Sequence, residues 1–219
     1  VNHGVDHARI RDAYRLLEDV FVRPADEKAA WEDPALKGQR GFTSFGREKA
    51  RDHAMPDLKE FWQVGQEFGD DSPIAALLPR NVWPAGLPGF KQTMLSMYAE
   101  LEACSQHLLE ACALYIDEPR RLLADQCVGG DTILRLIHYP PVPDDAEPQA
   151  VRAAAHEDIN HLTLLCEATS GGLELLQRDG TWRKVHALHG QLVVDSGDML
   201  QMLTNGVYKA TTHRVVNPD

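Results

Sequence analysis

At 219 residues, 43% of them apolar, the chain can bury a core of its own, and a net charge of −11 sets its field against phosphate backbones. No Lys/Arg cluster interleaved with aromatics offsets that charge, no stretch approaches the roughly 18 consecutive apolar residues that span a bilayer, and no basic-then-apolar leader is present, so neither a nucleic acid nor a membrane partner is expected. Four scattered cysteines (Cys104, Cys112, Cys127, Cys166) without a CxxC pair argue against a disulfide framework or a cysteine-bound zinc, and fit a reducing cytoplasm.

Apolar residues at three- and four-residue spacing (Ile10, Ala13, Leu17, Val20, Phe21) predict an amphipathic helix from His7 to Val22, stopped by Pro24. Asp26 to Asp57 is polar with short apolar pieces, and reads as largely loop with Gly41 to Phe45 extended; its length suggests a covering segment. From Gly89 to Tyr115 the positions Met94, Met97, Tyr98, Leu101, Cys104, Leu108, Ala111 and Cys112 repeat with helical spacing and no internal proline, predicting the longest helix of the chain. After residue 130 the texture changes to short apolar runs between turns: Ile133–Tyr139, Leu162–Cys166, Leu173–Gln177, Trp182–Val185, Leu192–Asp195, Met199–Leu203 and Thr211–Val216. Many short strands at regular spacing imply a sandwich or barrel, on which the long helix can pack. Asp179-Gly180 is the strongest hairpin signal, read as a two-residue turn.

His156-Glu157-Asp158 falls where a strand should end, and alternation along a strand puts residues i and i+2 on one face, so an imidazole and a carboxylate can converge on one point. A third ligand from a distant strand, for which His213 is the candidate, would complete a two-His-one-carboxylate face with positions left open for cosubstrate and dioxygen, as iron(II) oxygenases require. Spacing alone leaves zinc open, since the same donors serve catalytic zinc. His161 competes with His213, but a His156/Asp158/His161 set would strain an extended strand.

The surrounding residues narrow the choice. His156-Glu-Asp-Ile-Asn-His-Leu-Thr-Leu-Leu165, Gly171-Gly-Leu-Glu-Leu, Gly180-Thr-Trp, Gly197-Asp-Met-Leu-Gln201, Thr204-Asn-Gly-Val-Tyr-Lys209 and His213-Arg-Val-Val-Asn-Pro218 closely resemble, in order and spacing, the isopenicillin-N-synthase-like branch of the 2-oxoglutarate/Fe(II) oxygenases. Upstream, Val1-Asn-His-Gly-Val5, Asp57-Leu-Lys-Glu-Phe61, Asn81-Val-Trp-Pro84, Gly89-Phe-Lys91 and Arg135-Leu-Ile-His-Tyr-Pro-Pro141 extend the resemblance over nearly the whole chain.

What the resemblance implies is a mostly β fold with flanking helices (α+β): a double-stranded β-helix, or jelly roll, with one long helix packed against it. Residues 1–219 would form a single oxygenase domain, helical and looped over 1–130 and jelly-roll over 131–219. The metal would be Fe(II), held by His156, Asp158 and His213, with 2-oxoglutarate as cosubstrate and Tyr139 beside it. The reaction would be hydroxylation, desaturation or cyclisation of a small organic substrate, coupled to release of succinate and CO2. Asp158 disfavours halogenation, since related halogenases lack that carboxylate.

The family anchors the far carboxylate of 2-oxoglutarate with an Arg-x-Ser pair on a strand beyond the last histidine. No such pair precedes Asp219, and Val1-Asn-His-Gly normally follows a strand, so the chain reads as truncated at both ends. Two alternatives follow: an Fe(II) oxidase of the isopenicillin N synthase type, needing no 2-oxoglutarate, and a non-catalytic jelly-roll scaffold. The pair His186 and His189, the Gly197-Asp198 turn and Arg214, which alternation sends away from His213, are read as structural or solvated. Substrate identity and oligomeric state are not legible in the sequence.

Overall fold

The computed structural model describes residues 3–50, 53–69, 71–185 and 190–218. They gather into two compact units, one comprising Asn2–Ser44 and Glu60–His138, the other Phe45–Lys59 and Tyr139–Asp219. The division does not fall at one point near residue 130: the strand at 133–138 pairs within the helical unit, and residues 57 and 58 bond to the backbone at 154 and 151 in the other unit.

In the first unit, helix α1 (His7–Phe21) begins at Asp6, whose side chain accepts the Ala8 amide hydrogen bond at 2.8 Å. Its buried face is Ile10, Ala13, Leu17, Val20 and Phe21, the five residues that the spacing selects. The polar stretch that follows contains a short helix α2 (Ala25–Ala29), a 3-10 turn (Pro34–Leu36) and strand β1 (Gly41–Thr43). Strand β2 (Glu60–Gly65) lies between β1 and β3 (Ile133–His138) in an antiparallel sheet, with Phe42 opposite Trp62 and Trp62 opposite Leu136.

All six residues of β2 are buried, so no polar-apolar alternation marks it in the sequence. Two of its polar side chains are bonded internally: Glu60 binds Lys28 Nζ at 2.7 and 2.8 Å and His138 Nδ1 at 2.8 Å, and Gln63 donates to the Gly38 carbonyl at 2.6 Å. Helix α3 (Phe90–Tyr115) packs on this sheet through Phe90, whose ring lies 5.4 Å from that of Trp62, and meets α1 through Glu100, which accepts from the Asp6 amide and the Arg9 guanidinium. Met94, Met97, Tyr98 and Cys104 are buried as the periodicity predicts. Beyond them the buried face turns by one residue, to Leu109 and Ala113 in place of Leu108, Ala111 and Cys112, because helix α4 (Leu122–Asp125) folds back and packs there through Leu123 and Ala124.

The second unit is the jelly roll. Strand β4 (Ala153–His156), β6 (Leu173–Leu176), β7 (Trp182–Lys184) and β9 (His213–Val215) form one antiparallel sheet in the order β4-β9-β6-β7, while β5 (Leu162–Leu165) pairs with β8 (Val193–Ser196). Neighbours distant in sequence lie side by side, and β4 is held by β9 from the other end of the segment. Two local expectations are corrected. Five residues join β6 to β7, and the turn itself is the three residues Arg178-Asp179-Gly180, closed by the Gln177 amide on the Thr181 carbonyl at 2.8 Å; only Gly180 has positive φ, +83°, which a two-residue type I′ turn does not allow. Met199–Leu203 is not a strand but part of helix α5 (Asp198–Leu203), which buries Leu200 and leaves Met199, Met202 and Leu203 exposed. Gly197 sets this outcome: it leaves β8 and sends the next amides into a neighbouring loop instead of a ladder.

Candidate metal centre

His156 closes β4 and His213 opens β9, and the antiparallel register makes them direct cross-strand partners with ring centroids 4.4 Å apart. Each ring is fixed through Nδ1 by a carbonyl two residues earlier, Ala154 at 2.7 Å and Thr211 at 3.1 Å. A carbonyl can only accept, so Nδ1 carries the proton in both rings and the Nε2 lone pairs are free. Those lone pairs face one oxygen: Asp158 Oδ1 lies 3.7 Å from His156 Nε2 and 4.0 Å from His213 Nε2.

Asp158 does not reach this point by strand alternation, because β4 ends at His156. It sits in a loop held from two sides. Thr163 on β5 donates its hydroxyl to Asp158 Oδ2 and accepts from Asn160 Nδ2 at 2.8 Å, which leaves Oδ1 for the histidines. The start of α5 holds the backbone: the amides of Gly197, Asp198 and Met199 donate to the carbonyls of His161, Asp158 and Asn160 at 3.1, 2.8 and 3.2 Å. A side chain at Gly197 would place its Cβ 2.3 Å from the Asn160 carbonyl oxygen and 2.7 Å from that of Asp158.

Asp195 on β8 places Oδ2 3.3 Å from His213 Nδ1, linking the two sheets of the jelly roll. Burial alone would depress the His213 pKa, but the adjacent Asp195 carboxylate, the Thr211 carbonyl and the charge of Asp158 outweigh it and raise the pKa above the usual value. The pocket around this ring therefore favours positive charge.

His156, Asp158 and His213 form the one group of three or more such side chains among the described residues with metal-ligand proximity, their ligand atoms within 4.8 Å of one another. Ligand atoms about 2.1 Å from a common ion lie roughly 3 Å apart on one octahedral face. The observed spacings of 3.7 and 4.0 Å exceed that spacing by about 1 Å or less. Two neutral imidazoles and one carboxylate on one side fit a divalent ion that keeps open positions.

His161, the sequence competitor, is not in the group; its carbonyl takes the Gly197 amide, and burial lowers the pKa of its ring. Tyr139 is half-buried with the Arg152 guanidinium 5.5 Å from its ring centroid. Arg214 points away from the cluster as alternation predicts, paired to Glu174 at 2.7 Å and stacked over Trp182 at 4.0 Å. His186 and His189 lie outside the described residues. Thr163, Asp195 and Gly197 were not legible as site residues, although Gly197-Asp198 carried a turn signal that marks the place where the ligand loop is gripped.

Residues 130–219 match the 2OG-Fe(II) oxygenase superfamily, and residues 1–86 match the N-terminal family of non-haem dioxygenases described from morphine synthesis. Among curated relatives, the chain is 32% identical to a 2-oxoglutarate-dependent dioxygenase of Aspergillus rugulosus, with all of this chain and 70% of that protein aligned. A proline hydroxylase of Petromyces alliaceus is also 32% identical, with 99% of this chain and 69% of that protein aligned. A solved 2OG-Fe(II) oxygenase family protein from Caulobacter crescentus superposes with TM-score 0.86 at 41% identity, covering 98% of this chain and 68% of the other. Neurospora crassa T7H, solved in complex with alpha-KG, gives TM-score 0.82 at 29% identity over 98% of this chain and 67% of the other. The chain thus spans between 62% and 70% of the length of these and similar curated relatives.

Proposed function

The chain belongs to the 2OG-Fe(II) oxygenase superfamily, and from that premise we propose that it oxidises a small organic substrate with Fe(II) held by His156, Asp158 and His213 and 2-oxoglutarate as cosubstrate. One observation carries the reading: two Nε2 lone pairs and one free carboxylate oxygen converge, each aimed by a hydrogen bond on its far side. When bound, Fe(II) and 2-oxoglutarate supply dioxygen activation coupled to decarboxylation of the cosubstrate to succinate and CO2.

The protein's own residues supply placement and charge. His156 and His213 turn Nε2 toward the site because Nδ1 of each ring is engaged by the carbonyl of Ala154 or Thr211, and any proton on Nε2 is released when a cation takes that position. Asp158 contributes the single negative charge, and Thr163 keeps its second oxygen occupied so that it ligates through one atom. Asp195 stabilises the His213 Nδ1 proton and adds negative potential behind the ring.

The relative solved with alpha-KG supports the cosubstrate, and the order of the motifs together with the N-terminal match supports placement in the isopenicillin-N-synthase-like branch. Tyr139 is proposed to lie beside the cosubstrate on the same resemblance. The net charge of −11 favours a small-molecule substrate over a polyanion, and no helix among the described residues is long and apolar enough to cross a membrane. The four cysteines are free, which fits the reducing cytoplasm proposed for it.

The test is an anaerobic titration of the Fe(II) protein with 2-oxoglutarate, read by the visible charge-transfer band of bidentate chelation. A band that disappears in His156→Ala and His213→Ala is expected. Iron binding without a band would overturn the cosubstrate claim and leave the oxidase reading.

A further inference from the structure

β4 and β9 run out of step by one residue: between the pairs Ala153 with Val215 and His156 with His213, β4 advances three residues and β9 two. An extra residue in one strand orphans a backbone group and re-aims the side chain beyond it, a device common beside active sites. Here the Ala154 amide leaves the ladder and donates to Asp57 Oδ1 at 3.0 Å. The carbonyl of the same residue receives His156 Nδ1 at 2.7 Å.

Asp57 is only 3% exposed. Its other oxygen accepts from Lys59 Nζ at 2.9 Å, and Lys59, 5% exposed, also binds Glu48 at 2.7 Å. Backbone bonds fasten the segment on both sides of the carboxylate: the Leu58 amide to the Val151 carbonyl and the Asp57 amide to the Glu48 carbonyl, both 2.9 Å. Two charges in a buried place are costly to desolvate, and apolar residues often fill such a place with no loss of stability, so packing alone gives no reason for them. A charged acceptor fixed by a buried cation does give a reason, since it holds an amide more tightly than a neutral one.

We propose that Asp57 is a positioning residue for the metal centre. Anchored by Lys59, it takes the amide that the bulge orphans, fixes Ala154, and through the Ala154 carbonyl sets both the tautomer and the rotation of the His156 ring. This rests on His156 being a ligand. Asp57 is not one of the three grouped ligand side chains and acts only through the backbone of β4.

Two readouts separate this role from plain stability and from the metal reading. In the metal-free protein, nitrogen NMR of the His156 ring and amide exchange at Ala154 report the relay directly; Co(II) titration reports its consequence. Asp57→Ala is expected to speed Ala154 exchange, mix the His156 tautomers and weaken Co(II) binding 10- to 100-fold. Asp57→Asn, which keeps an acceptor oxygen, is expected to restore the tautomer and most of the affinity. Asp57→Ser, polar but too short to reach Ala154, replaces the alanine variant if that one does not fold. Leu123→Ala, a core truncation in helix α4 of the other unit, should lower Tm while leaving both readouts unchanged.

Wild-type ring shifts and Co(II) affinity within twofold in Asp57→Ala would overturn the proposal, as would the same losses in Leu123→Ala. If the wild-type protein binds no Co(II) through His156 and His213, the metal reading fails. The exchange and tautomer data in metal-free protein still decide the relay.

Discussion

Replacing Gly197 by alanine tests the grip on Asp158 with one methyl group. Gly197 has φ −100° and ψ 178°, a conformation any residue adopts, so backbone strain does not enter and the effect is steric. The added Cβ would sit 2.3 Å from the Asn160 carbonyl oxygen, 2.6 Å from Asn160 Oδ1 and 2.7 Å from the Asp158 carbonyl oxygen. Two of the three are backbone atoms that cannot rotate away, so the loop from Asp158 to Asn160 must withdraw by about 1 Å to reach ordinary contact. That withdrawal stretches the bonds from the amides of Asp198 and Met199, 2.8 and 3.2 Å, each worth about 1 kcal/mol. With overpacking of about 1–3 kcal/mol, the expected destabilisation is about 2–4 kcal/mol. Asp158 Oδ1 moves with the loop, and a displacement near half a metal-ligand bond length should weaken Co(II) binding at least tenfold. Thermal unfolding and Co(II) titration measure the two parts. Gly171→Ala is the control, since its Cβ would meet nothing within 4 Å and its φ is not in the left-handed region; it should be neutral or slightly stabilising. A Gly197→Ala protein with wild-type Tm and wild-type Co(II) affinity would refute the reasoning that the start of α5 positions Asp158.

Two further outcomes follow from the same geometry. Thr163→Val removes the hydroxyl that occupies Asp158 Oδ2 while keeping the side-chain shape, so Co(II) affinity should fall several-fold to tenfold with a stability change near 1 kcal/mol; unchanged affinity would mean the hydroxyl does not orient the carboxylate. In the other unit burial opposes ionisation of Glu60, but its bonds to His138 and Lys28 prevail and its pKa lies below the usual 4.5. The folded state then binds fewer protons than the unfolded state in that range, so this contribution is complete above about pH 4.5 and is lost as pH falls through the lowered value. Glu60→Gln, which leaves Lys28 buried without its counter-charge, should cost about 3 kcal/mol near neutral pH and flatten the acid limb of the Tm-pH curve; an acid limb of unchanged slope would exclude Glu60 as its source.

Elements with one solvated face were legible from spacing. α1 follows its apolar stripe residue for residue, and the first half of α3 follows it at Met94, Met97 and Tyr98 with Leu101 half-buried, because each has a single face against the core. The second half of α3 is rotated by a partner, α4, that is too short to leave a periodic signal of its own. β2 failed for the opposite reason: buried on both faces, it shows no alternation, and Glu60 and Gln63 look like solvated residues until Lys28, His138 and the Gly38 carbonyl are in place. Met199–Leu203 carries enough apolar residues for a strand, and only the tertiary bonds of its leading amides to the 158–161 loop turn it into a helix. Each miss lies where a partner from elsewhere in the chain decides the local structure.

The metal centre divides along the same line. His156, Asp158 and His213 stood out because metal ligands must be particular residue types, and the residues around them fit a family pattern; the structure brings the three together. Strand alternation, however, points to this trio by a route the structure does not take. β4 stops at His156, its last pairs are offset by a bulge, and Asp158 arrives on a loop fastened by Thr163 and the start of α5. A bulge has no residue signature: Ala153-Ala154-Ala155 reads as any apolar run, and the amide it orphans is known only once a carboxylate from residue 57 is seen to receive it. Ligand identity is therefore written in side chains, whereas ligand aim is written in backbone register. A variant series that spares the three ligands and perturbs only Asp57, Thr163 and Gly197 asks how much of the centre's affinity lies in aim alone.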